Sequence, residues 1–442
     1  MHSRKLSQWT GIGLTLATVL LVVWLIFNRP AAQADRWLSA ARQLRTSGQF
    51  ADAEQAALRA LALNPQLVAA AFLAAESAER QQAFDRTTGY LQQLKTTHPE
   101  HQLQANLMIA RLSADKMNQL SVAERAWRDA LKLAPNHIEA NSALFRLLTQ
   151  TGRASEATPF ALRVVRSNAA EDLLVPLARP GGSDASRQKL AQCRLASPDD
   201  AAPLVGLALL ASLTDRHEDA IELLDAALRI DADNAAAHAA LGNALLQSEQ
   251  YDRLSKWQRH LPRQAENFPG IWLVRAKLAE HASSSAAAIR CYWELCRLQP
   301  ESRVACSRLA RLLAAAGRTD AAGQFAKRLR LLTALASAQD RVLFSDQSEN
   351  ASALFQLAGL YRQTGRFWEA YGWCLLATQI DAQHEPTARL LASLRNEIRG
   401  RSLKQTAEEF NPALSVDLSD FALPGKPEML PPDQNSGPGP AS

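Results

Sequence analysis

Three groupings in this sequence have residue types that could carry chemistry. His217-Glu218-Asp219 sets an imidazole beside two carboxylates, the ingredients of acid–base catalysis or of a metal site. Ser186 and Lys189 have the SxxK spacing of a serine nucleophile with a lysine base. Five cysteines, Cys193, Cys291, Cys296, Cys306 and Cys374, are potential ligands or cross-links. Each grouping is better explained by its surroundings. His217-Glu218-Asp219 opens a helix after a turn, where acids in the first turn are stabilised by the helix dipole and face water. Ser186 and Lys189 lie on an amphipathic helix with no base or oxyanion partner nearby. The cysteines are odd in number, form no CxxC or Cys/His cluster and sit within helical patterns, so they read as buried small hydrophobes. Cys291 and Cys296 are five apart on one helix and point to different faces, so no bridge is expected between them. HExxH, GxxxxGK[ST] and GxSxG do not occur. The chain is expected to be no enzyme, with no catalytic residue, no metal and no cofactor.

The elements that would position any site are helical. The 442 residues are 47% hydrophobic, mostly Ala and Leu, with few Gly or β-branched residues in the periodic segments. Charged residues make up 21%, too few for a disordered polyelectrolyte. The net charge of +5 permits an anionic partner without requiring one.

The clearest stretch runs from Ala351 to Asp381. Leu354, Leu357, Ala358 and Tyr361 mark one helical face, Gly365 breaks the pattern, and Phe367, Ala370, Cys374 and Ala377 resume it. Ala358, Ala370 and Ala377 sit where two antiparallel helices cross closely. Trp368, beside Phe367 at the turn, is the one tryptophan expected to be exposed; the others read as core or membrane residues. One such pair cannot bury its faces alone, and the chain repeats it with a period near 34. Trp37, Ala40, Ala41, Leu44, Gly48, Ala53, Ala60 and Pro65 set the pattern, and Trp272, Ala276, Ala279, Ala288, Tyr292 and Pro300 repeat it. In spacing and residue type this resembles the tetratricopeptide repeat (TPR) family over residues 34–399, which implies an all-α, right-handed α-solenoid. Residues 34–336 carry the repeats, with 167–200 degenerate because Pro176 falls inside a helix. A polar insert (337–350) precedes the final repeat and a solvating cap helix (351–399).

The resemblance also implies a site. In the family the first helix of each pair lines a concave groove, with positions 2, 5, 6, 9, 12 and 13 facing it. Carried over by phase, these include Arg42, Arg146, Asn243, Lys277, Arg308 and Arg311. Between Arg297 and Arg330 eight cations outnumber two acids. Asn243, Lys277, Arg308 and Arg311 are therefore the candidate partner-binding residues, suited to a carboxylate or an acidic peptide because Arg presents paired donors. They do not reproduce the Lys/Asn two-carboxylate clamp of chaperone-binding members. Nucleic acid is not an expected partner, since the basic stretch lacks interleaved exposed aromatics.

At the N-terminus a short basic stretch (1–8) precedes Trp9–Phe27, 19 uncharged residues that as a helix span about 28 Å, enough for a bilayer core. Arg4 and Lys5 favour a cytoplasmic N-terminus, with an anchor over 9–28 and the repeats exported to a periplasm-like space. Ala32-Gln33-Ala34 leaves a cleaved signal peptide as the competing reading. Residues 400–442 form a tail, Pro-rich from Asn411 and expected to be disordered or extended. The expected function is a membrane-anchored scaffold that holds a protein or peptide in its groove. A regulatory or substrate-recruiting subunit of an envelope enzyme complex is the alternative.

Overall fold

A computed structural model describes residues 30–168, 171–178, 184–344, 349–401, 403, 410–418 and 420–421. The anticipated membrane segment Trp9–Phe27 lies outside the described residues, and among these no helix is long and apolar enough to cross a membrane. The described residues form two compact units, one of residues up to 118 with 122–135, the other of 119–121 with 136–442.

The first unit contains α1 (Pro30–Thr46), α2 (Phe50–Leu63), α3 (Val68–Arg80), α4 (Phe84–Thr97), α5 (Gln102–Asp115) and α6 (Leu120–Leu133). The second holds α7 (Ile138–Gln150), α8 (Ala154–Arg166), α9 (Glu171–Ala178), α10 (Asp184–Ala196), α11 (Ala201–Ser212), α12 (His217–Ile230), α13 (Ala235–Gln247) and α14 (Tyr251–Arg259). It continues with α15 (Pro269–His281), α16 (Ser285–Leu298), α17 (Arg303–Ala315), α18 (Thr319–Phe344), α19 (Ala351–Gln363), α20 (Phe367–Ile380), α21 (Glu385–Glu397) and the single turn α22 (Pro412–Ser415).

One backbone device generates the pairs. Two residues before nine of the second helices the chain takes a positive φ, which reverses its direction in a short turn. Glycine does this at Gly48, Gly152, Gly317 and Gly365, with φ between 76° and 79°. Gln82, Asn118, Asp215, Glu249 and Ser283 hold the same place at φ from 54° to 60° despite carrying a side chain. First helices in the second unit start on side-chain caps: Asp200, Asn234, Ser302 and Asn350 each accept from a backbone N–H of the following turn. Where the pairs cross, Ala358, Ala370 and Ala377 are fully buried, as are all five cysteines.

In the first unit a polar group lies within the packing. Glu54 is buried and accepts from Tyr90 Oη (2.8 Å) and Gln81 Nε2 (2.7 Å), with Arg86 3.3 Å away.

The second unit departs from an open array. Phe145, Leu148, Val165, Leu173 and Leu174 share one core with Leu335, Leu354, Trp373, Leu391 and Leu394. The last pair thus packs on α8 and α9. Tyr371 Oη donates to Asn168 Oδ1 (2.9 Å), and Gly372 faces Leu174 so closely that a Cβ there would stand 2.7 Å from its methyl. This contact corrects the expectation for Trp368, which is 6% exposed, set edge-on to Tyr371. A tryptophan at a repeat turn is free only if nothing lies beyond that turn. The same contact explains the irregular stretch around Pro176: α9 is a helix of eight residues laid against α20. Helix α18 runs on to Phe344, through the first half of the anticipated polar insert, and Gln339 bridges the Ala178 carbonyl (3.2 Å) and Tyr361 Oη (2.7 Å).

A further correction concerns the tail. Residues 410–418 are packed, with Asn411, Pro412, Ala413, Val416 and Leu418 buried. Ala413, Val416 and Leu418 join the core of α15–α18, to which Phe325, Leu309 and Cys306 belong. The pattern of apolar residues is too short to register as a helix or strand, yet it fits one existing furrow.

Candidate partner-binding surface

First helices α13, α15 and α17 carry the four residues singled out by phase. Asn243 is half-buried on α13, Lys277 is half-buried on α15, and Arg308 and Arg311 are exposed on α17. The structure joins Arg308 and Arg311 through a residue not singled out, Glu280 on α15, whose charge Lys277 also feels from one turn away on the same helix. Arg311 Nη2 donates to Glu280 Oε1 at 2.9 Å, and Arg308 Nη1 lies 3.6 Å from the same oxygen. Tyr292 Oη, from α16, donates to Glu280 Oε2 at 2.9 Å. Glu280 is therefore a pivot, 20% exposed, with both oxygens engaged, while Arg308 and Arg311 stay 44% and 62% exposed. Asn243 stands outside this cluster, on the neighbouring helix.

Electrostatics follow from the geometry. Burial pushes the Lys277 ammonium below its usual value, Arg308 pushes it the same way, and Glu280 opposes both. Burial, the hydrogen bond to Glu280 and the charge of Glu280 raise the Tyr292 hydroxyl far above the usual range. Three cations against one carboxylate leave a formal surplus of two positive charges, on guanidiniums that reach solvent. Such a surface can take a carboxylate by exchanging one Arg–Glu280 contact for an Arg–ligand contact, a trade that costs little because exposed ion pairs contribute little.

Three more cations of the basic run, Arg297, Arg318 and Arg328, have separate partners. Arg297 pairs with Glu294 (2.8 Å). Arg328 is buried and donates to the carbonyls of Pro300 (3.3 Å) and Thr364 (2.8 Å), tying α18 to the next turn. Arg318 binds the tail through Asp420 (2.6 Å) and the Asp417 carbonyl (2.9 Å). Counting cations along the sequence thus overstated the positive field. Glu280 was within reach of the same reasoning: it holds position 12 of its repeat, on the face that placed Lys277 at position 9.

The other chemical candidates take structural places. His217-Glu218-Asp219 begins α12, and Ser186 and Lys189 lie within α10. Among the described residues no group of three His, Cys, Asp or Glu side chains is placed to hold a metal ion.

Residues 38–96 and 213–278 each match a tetratricopeptide repeat model. These two stretches are tetratricopeptide repeats. Both stretches span helix pairs, α1–α4 and α12–α15, with the positive-φ turns described above. Among solved structures the chain is similar to the P58(IPK) TPR domain, at 17% identity over 83% of this chain and 99% of that one, with a TM-score of 0.26. It is similar to a chain of the APC/C hetero-tetramer Cut9–Hcn1 at 14% identity, over 88% and 81% of the two chains, with a TM-score of 0.33. Pilf of Pseudomonas aeruginosa is a third, at 16% identity over 50% and 96%, with a TM-score of 0.31. Comparison with curated sequences gave no match.

Proposed function

We propose that this TPR protein is a non-enzymatic scaffold, held at a membrane by residues 9–28, that binds an acidic protein or peptide segment on α15 and α17 with the repeats on the exported side. Stacked helix pairs present a preordered surface, so little conformational freedom is lost on binding. The observation that carries the reading is the cluster of Lys277, Arg308 and Arg311 around Glu280: solvent-facing guanidiniums held in place by a carboxylate that an acidic ligand can replace.

The test is an in-cell crosslinking pull-down of the native chain against a Lys277→Glu, Arg308→Glu, Arg311→Glu variant, with helical content checked by circular dichroism. Loss of a dominant partner in the folded variant supports the reading. An unchanged partner set removes this surface from consideration. The anchor is tested separately: a mature chain beginning at Asp35 by mass spectrometry, or release of the intact chain by alkaline carbonate, overturns it.

A further inference from the structure

The tail segment enters the second unit as a bound peptide does. Its polar ends are recognised and its apolar residues are seated between. Asn411 Nδ2 donates to the carbonyls of Cys296 (3.0 Å) and Arg297 (3.4 Å), at the C-terminal end of α16, where carbonyls lack partners within their own helix. Asn411 Oδ1 accepts from Ala413 N–H (3.0 Å) and starts the turn Pro412–Ser415. Ala413, Val416 and Leu418 face the core, whereas Leu414 is exposed. At the far end Arg318 takes both the Asp417 carbonyl and the Asp420 carboxylate. Phe410 covers Gly365, whose missing Cβ would lie 2.3 Å from the ring, and meets Phe367 edge-on. Asn411 thereby joins a helix end 115 residues earlier in the chain.

We infer that the furrow formed by α16, the α17–α18 turn and α18 is a peptide-binding site distinct from the Glu280 cluster, and that residues 410–421 are its exchangeable occupant in cis. The ligand it takes is a short segment with Asn-Pro at its head, apolar residues at the third, sixth and eighth places counted from Phe410 as zero, and an acid at the tenth, as Ala413, Val416, Leu418 and Asp420 are disposed. A partner carrying that pattern competes with the tail. The tether sets the threshold for exchange. A short tether holds the segment at an effective concentration on the order of millimolar, so against an intrinsic Kd of about 10 µM a competitor appears roughly 100-fold weaker. The furrow is thereby closed to weak or chance ligands and open to a partner that is tight or locally concentrated. None of this rests on Lys277, Arg308 or Arg311.

The test uses the full chain and a fluorescein-labelled peptide of residues 409–422. A Val416→Asp, Leu418→Asp variant releases the tail and leaves the furrow walls intact. The peptide should bind that variant at least 30-fold more tightly than the native chain by anisotropy, and addition of Arg318→Glu should remove the gain. No saturable binding to the helical, tail-released variant overturns the proposal, as does equal binding to both chains. A second measurement needs no variant. In the native chain, millimolar unlabelled peptide should speed hydrogen exchange at the amides of 413–418, and exchange unmoved by the peptide means that the tail is a fixed part of the core.

Discussion

Neutralising Glu280 tests the acidic-partner reading more sharply than removing a cation, because it should improve binding. In Glu280→Gln the single amide oxygen can stay with Arg311 and the amide NH2 can donate to the Tyr292 hydroxyl oxygen, while the formal surplus of the cluster rises from two charges to three. A ligand carboxylate seated about 6 Å from position 280 is relieved of a repulsion of about 0.7 kcal/mol in bulk-water dielectric and about 3 kcal/mol at an effective dielectric of 20. The exposure of Arg308 and Arg311 places the site nearer the watery limit. About 1 kcal/mol is then expected, an affinity gain of roughly fivefold. The assay is anisotropy of a labelled acidic dodecapeptide against native chain, Glu280→Gln and Arg308→Glu/Arg311→Glu. The gain should shrink toward nothing in 1 M salt, where the screening length falls to about 3 Å. A control sits in the same protein: with the Glu280 charge gone, Tyr292 should ionise at lower pH, while burial still holds it above an ordinary tyrosine. Unchanged or weaker binding in Glu280→Gln, with the Tyr292 shift present, would refute the reasoning, because the charge would have changed without the ligand sensing it.

Other expectations follow from the turns, the thiols and the closed core. Gly317→Ala should cost about 1–2 kcal/mol in urea unfolding, from the left-handed backbone alone, since its Cβ would meet nothing within 4 Å. Gly152→Ala should cost more, because its Cβ would also fall 2.0 Å from a Leu209 methyl; equal costs would mean that Leu209 gives way freely. Burial raises the Cys291 and Cys374 thiols to about 12, and burial with the Glu54 hydrogen bond raises Tyr90 to about 12. The folded chain thus keeps protons that the unfolded chain releases from about pH 9 upward, so the contribution is intact below that pH and is lost as pH rises toward 12. A urea midpoint that does not fall over this range would contradict it. All five cysteines should resist a thiol reagent until denaturant is added, and rapid labelling of the native chain would show that one is reachable. Trp368→Ala should cost about 3–5 kcal/mol, as a buried tryptophan does, and a cost below 1 would place it at the surface.

Helix pairs were legible in the sequence because they rest on local chemistry. Gly48, Gly152, Gly317 and Gly365 mark left-handed turns that glycine adopts at little cost, and alanines mark helix crossings that nothing larger fits. Gln82, Glu249 and Ser283 adopt the same turn without advertising it, since the repeat frame imposes a conformation their side chains disfavour. Phase places Lys277, Arg308 and Arg311 on first helices, whereas the contact of Glu280 with the two arginines is invisible to a count of charges along the chain, because it runs between neighbouring helices. Trp368 and the tail failed for one reason. Their burial depends on elements far away in sequence, α8 and α9 for one and α16 to α18 for the other, and no local period encodes a partner at that distance.

The bond from Tyr371 to Asn168 spans 203 positions, and it bears on how the protein is made. In an open row of repeats each newly synthesised pair can settle on the one before, and the row frays from whichever end is free. In the second unit α8 and α9 wait for α20 and α21, so Val165, Leu173 and Leu174 stay uncovered until nearly all of the unit has left the ribosome. Closing a loop of that length costs about 5 kcal/mol in chain entropy. Folding of this unit is thus slower and more all-or-none than its repeats imply, and a chain stalled before residue 370 presents a sticky apolar face that chaperones and proteases recognise.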